Sequence, residues 1–159
     1  MKIALALSLL LPVFSGAARA ASAAADVKFQ KVESLIEMGE YEGARAELES
    51  MCSALKKDDP RQVRCFERSG ALWLREDMIA EAQVAFTQAL ETAHRLIIED
   101  EHVGKAYVGM GLCLRRGKND KYAHRFFKKA FTYHLDAGTR MFVEDQIREI
   151  EGKPPIPAR

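Results

Sequence analysis

Cysteine and histidine are the side chains of this sequence with the most chemistry to offer, and their spacing decides what they can do. Cys52 and Cys65 stand nearly equidistant from a turn signal at Lys56 to Pro60. In an antiparallel helical hairpin, equal distance from the turn makes two residues opposite partners, so the pair is placed to close as a disulfide; the alternative is two buried thiols. Closing a loop of about 13 residues stabilises a fold by roughly 3 kcal/mol on the chain-entropy estimate. The third cysteine, Cys113, lies among Met110, Leu112 and Leu114 and reads as an inert buried thiol. His94, His102, His124 and His134 show none of the three- or four-residue spacings that put two ligands on one helical face, so no metal site is expected. Glycines 104, 109, 111 and 117 have no preceding strand of the kind a phosphate-cradling loop requires, and no nucleophile sits in a recognisable context. The expectation is a protein without catalysis and without a cofactor.

The elements that must position these residues begin with an N-terminal segment of different character. Lys2 precedes an apolar run from Ile3 to Phe14, and Ala18-Arg19-Ala20 follows. That layout predicts a cleavable secretory signal over residues 1–20, since the run is shorter than the roughly 20 apolar residues a spanning helix needs. The first cysteine is Cys52, so no lipid anchor is expected at the cleavage junction. Export to the periplasm or beyond follows, where a close cysteine pair tends to be oxidised. Without its first 20 residues the chain keeps 22 Lys and Arg against 23 Asp and Glu, and its net charge moves from +1 to −1. So neutral a chain gives no global reason to expect nucleic acid or an anionic membrane as partner.

Residues 21–26 read as a flexible N-terminus. From Val27 to about Glu151 the pattern is helical throughout, Ala-, Leu-, Glu-, Lys- and Arg-rich, with Pro60 as its one proline. Breaks are predicted at Met38-Gly39-Glu40, Lys56 to Pro60, Arg75 to Asp77, Asp100 to Gly104, Gly117 to Asp120 and Asp136 to Thr139, which makes seven helices. The last helix offers Met141, Phe142, Ile147 and Ile150 as an apolar side. Residues 152–159, with three prolines, predict an extended mobile tail.

The helices repeat. Ala82, Phe86 and Ala89 carry a small residue, an aromatic four residues on, and a small residue three further; Ala123, Phe127 and Ala130 carry the same spacing, and Ala44, Leu48 and Met51 follow it in part. Their partner helices offer Phe66, Gly70 and Trp73, then Tyr107, Gly111 and Leu114. Two helices approach closely only where one presents Gly or Ala, and a large ring then fills the adjoining gap. In these residues the chain resembles the tetratricopeptide repeat family, over residues 27 to 135. It departs from the family in period: Ala44 to Ala82 is 38 residues and Ala82 to Ala123 is 41, against the roughly 34 of the family repeat.

The resemblance implies an all-α fold over residues 27–151, a short right-handed α-solenoid of antiparallel hairpins closed by a C-terminal capping helix. It also implies a concave groove that binds a protein or peptide segment. Its lining would be Arg64, Glu67, Ala71, Leu74 and Arg75 from one hairpin, and Lys105, Val108, Leu112, Arg115 and Arg116 from the next. Five of the ten are basic and one is acidic, a balance suited to an acidic segment or a free C-terminal carboxylate. The expected role is an adaptor, scaffold or chaperone in a cell-envelope or secretion assembly. The alternative is a structural subunit that associates with copies of itself.

Overall fold

A computed structural model describes residues 15–156, with side chains from Asp26 onward. Residues 1–14, which hold most of the expected export signal, and residues 157–159 lie outside the described residues. The described chain is seven helices without a strand: α1 (Ser15–Glu37), α2 (Tyr41–Ser53), α3 (Arg61–Arg75), α4 (Ile79–Leu96), α5 (Glu101–Arg116), α6 (Asp120–Ala130) and α7 (Ala137–Ile150). The all-α expectation holds. Residues 21–26, expected as a flexible N-terminus, lie within α1.

One device ends five of the helices. Gly39, Asp77, Ile97, Lys118 and Gly152 all have positive φ, and in each case the following residue's N–H reaches back five residues to a carbonyl, as Asn119 does to Leu114 at 2.8 Å. This is the left-handed helix stop that glycine adopts most easily. It uses glycine only twice here, and Ile97 takes it at φ 55°. The break predicted at Asp100 to Gly104 therefore falls earlier, over 97–100. Asp100 caps the next helix, accepting from His102 N–H at 3.0 Å and Val103 N–H at 3.2 Å. Likewise α6 stops at Ala130 and α7 starts directly behind Asp136, whose carboxylate accepts from Thr139 N–H at 2.8 Å.

Each helix packs against the next in sequence, α3 with α4 and α5 with α6 most extensively, and α3 also packs on α5. Phe86 and Phe127 are buried to within 1%, and removing such a ring from water contributes about 2 to 3 kcal/mol. Both lie on glycines. A Cβ on Gly70 would stand 2.7 Å from the Phe86 ring, and one on Gly111 would stand 2.6 Å from the Phe127 ring. Phe29, Val32 and Ile36 of α1 pack with Ala44, Leu48 and Met51 of α2. The Cys52–Cys65 disulfide is formed, with Cα atoms 5.8 Å apart, and ties α2 to α3.

One expectation at the C-terminal end is corrected. Val143 and Ile147 are the buried residues of α7, whereas Met141 and Phe142 are exposed: the stripe 143, 147, 150 faces the neighbouring helix at 3.6-residue spacing, and residue 142 lies about 100° away from it. As far as Ile156 the tail has hydrogen-bond partners on α7. Arg148 Nε donates to the Pro154 carbonyl at 2.7 Å, and Ile156 N–H donates to Asp145 at 3.1 Å.

Candidate functional site

The face shared by α3 and α5 carries an open depression of about 570 Å³. From α3 come Glu67, Ala71, Leu74 and Arg75, spaced so that they fall on one side of the helix; from α5 come Lys105, Val108, Leu112 and Arg116. Eight of the ten residues expected from the sequence thus line one surface. Its floor is the edge of Phe86 beside Gly109, where the missing side chain leaves room for the ring.

Arg64 and Arg115 are not brought to it. Arg64 turns to α1, where its guanidinium lies 3.8 Å over the Phe29 ring and 3.0 Å from Asp26. Arg115 turns to α7, donating to Gln146 at 2.7 Å and to Glu149 at 2.8 and 3.0 Å. The reason is the neighbours: α1 offers Arg64 an aromatic face and a carboxylate, and α7 offers Arg115 an amide oxygen and a carboxylate. In their place α7 supplies Gly138, Thr139 and Phe142. Phe142 was readable in the sequence as the residue left over once Val143, Ile147 and Ile150 are taken as the apolar stripe.

The charges of the depression are unevenly partnered. Arg75 is exposed and makes no ion pair among the described residues. Lys105 Nζ lies 3.4 Å from Glu101 and 4.0 Å from Asp136. Arg116 is paired with Asp77 and donates to the Leu74 carbonyl at 3.2 Å. Glu67 is only 3% exposed; a carboxylate so placed requires partners, and it has His102 Nδ1 at 3.2 Å and Arg68 Nε at 3.5 Å. Its partners lie beside the depression, which leaves Arg75 as the lining cation without an ion pair among the described residues.

Cys113 is buried, and burial pushes its thiol up to about 11, out of the nucleophilic range. Among the described residues no three His, Cys, Asp or Glu side chains gather as a metal would need, and no helix is long and apolar enough to cross a membrane. The chain matches no family model, no curated protein and no solved structure.

Proposed function

We propose that this chain is a non-catalytic adaptor of the bacterial cell envelope, its helices stacked as tetratricopeptide-like hairpins in a short right-handed solenoid closed by α7. Supporting the stack are the packing of α3 on both α4 and α5 and the two rings set on glycines of the facing helix. The export signal read over residues 1–20 is the ground for the location.

The observation that carries the function is the gathering of Leu74, Val108 and Leu112 with Arg75, Lys105 and Arg116 on one open surface. An apolar strip flanked by cations suits an extended acidic segment or a chain terminus, whose carboxylate Arg75 can take as a two-pronged hydrogen bond. A carboxylate there need not displace an existing partner of Arg75, whereas at Arg116 it competes with Asp77.

The test is binding of residues 21–159 to immobilised acidic peptides ending in a free carboxylate, the same peptides as C-terminal amides, and basic peptides. Acidic peptides should be retained, and Arg75→Glu should abolish retention without moving thermal unfolding. Arg115→Glu is the contrasting variant: it sets a carboxylate against Glu149 and should lower the melting temperature. Retention of acidic peptides untouched by Arg75→Glu, or acidic and basic peptides lost equally in that variant, would sink the reading.

A further inference from the structure

Helix α3 is open on two sides. Opposite the face that carries Glu67, Ala71 and Arg75, it presents Gln62, Phe66, Ser69 and Trp73, which floor a second and larger depression of about 790 Å³. Residues 62 to 73 rise about 16 Å along the helix, or three turns. One wall is α2, through Arg45, Glu49 and Cys52; the other is α4, through Ala80, Val84 and Ala85. Both walls pack on α3, and the space between them is lined by residues spread along all three helices.

The cleft is braced at both ends. The Cys52–Cys65 disulfide fixes one end of α2 to α3. At the other, Arg45 lies 4.6 Å over the Trp73 ring and 2.6 Å from Glu76. Both ties hold α2 against the α3 segment, one toward each end of the cleft. Its interior is mostly apolar: Phe66 and Trp73 are only half-buried, and Val84 is 59% exposed. A half-exposed aromatic pair beside an exposed Val is the kind of surface that anchors a partner.

The charge on its rims says what kind. Glu49 on α2 and Glu81 on α4 are exposed on opposite walls. The one cation lining the cleft, Arg45, is already taken by Glu76, and neither Glu49 nor Glu81 has an ion pair among the described residues. A trough floored by three turns of α3, mostly apolar inside and with one unpaired acid on each bank, fits a helix with an apolar stripe and basic residues on both flanks of that stripe. We propose that this cleft is a second docking surface and that its occupant is a basic amphipathic helix of a partner protein. It is distinct from the groove proposed above, because it uses the opposite face of α3.

Trp73 is the single tryptophan of the chain, so its emission reports this cleft and not the other groove. The probe is a synthetic peptide of about 14 residues with a leucine stripe flanked by lysines, compared with a glutamate-flanked version and with a proline-interrupted one that cannot be helical. The lysine-flanked peptide should shift Trp73 emission to shorter wavelength in a saturable way. Glu49→Lys with Glu81→Lys, or Val84→Arg alone, should weaken it at least tenfold, and Arg75→Glu should leave it unchanged. The proposal is overturned if no peptide shifts the emission, if the glutamate-flanked or proline-interrupted peptide does so equally, or if Arg75→Glu removes the effect. It is also overturned if the protein alone shifts its emission as its mass doubles with concentration, since the occupant is then a second copy.

Discussion

The ring of Phe86 fills the space that a side chain on Gly109 would need, and it does so with Gly70 on its other side. A ring held between two helices cannot move aside. Replacing a mid-helix glycine by alanine ordinarily gains about 0.5 to 1 kcal/mol, whereas forcing a methyl into a filled core costs about 1 to 3 kcal/mol. Gly109→Ala should therefore be destabilising by about 1 to 2 kcal/mol. Gly43→Ala is the control: its Cβ would meet nothing nearer than Leu35 at 3.8 Å, so the helix gain should survive. Urea unfolding of the two variants checks this, and a Gly109→Ala protein as stable as the native one would refute the close packing.

How far the sequence could be read follows from the same kind of contact. The Ala82, Phe86, Ala89 spacing is local and periodic, so it announces a packing face without knowledge of the rest. Its mates Gly70 and Gly111 were visible for the same reason. The positions that misled are those where a neighbour decides. Arg115 and Arg116 are equivalent as letters, but α7 claims one of them and the groove keeps the other. Residues 152–156 contain prolines and no helical pattern, yet Arg148 and Asp145 hold them through hydrogen bonds to the backbone, which side-chain periodicity does not register. The cleft beside Trp73 was invisible because it depends on α2 and α4 standing apart.

Ile97 is the least suitable residue for its backbone. A β-branched side chain in the left-handed region costs about 1 to 2 kcal/mol, and Ile97, 87% exposed, recovers little of that by packing. Ile97→Gly relieves the clash but makes the unfolded chain freer, which offsets up to about 1 kcal/mol. The net expectation is a stabilisation of about 0.5 to 1 kcal/mol, seen as a raised melting temperature. The same change at Ile98, which is half-buried and packs with Val63 and Ala93, should destabilise; a gain at both positions would mean that the turn is not formed as described.

The disulfide is the covalent tie between the α1–α2 pair and the rest, since α2 packs on α3 less extensively than α3 does on α4. Its sequence separation of 13 corresponds to about 3 kcal/mol of loop entropy. Replacing both cysteines by alanine should lower stability by that order, and amide exchange should accelerate first in α1 and α2. Uniform acceleration through α6 and α7 would show that the two ends of the chain unfold as one unit.

At the C-terminal end the ties are ionic and their pH dependence is readable. Glu151 accepts from Lys153 at 2.7 Å and lies 2.9 Å from His124 Nε2 on α6. The Lys153 bond first, and then the His124 contact, hold its carboxyl down at about 2, against an ordinary value of 4.5. Glu149 is lowered by Arg115, and Asp136 by the Thr139 N–H at the front of α7. A carboxylate lowered by folding contributes stability above its unfolded value and loses it as pH falls through the folded one. The α6–α7 attachment should therefore be at full strength above pH 4.5 and weaken between about 4.5 and about 2. In an NMR titration the Glu151 side-chain carbon should turn over near the lower value. In Lys153→Ala the midpoint should rise toward 4.5, because the largest cause of the depression is gone. A native midpoint already at 4.5 would mean that these contacts do not form in solution and that α7 is held by Val143 and Ile147 alone.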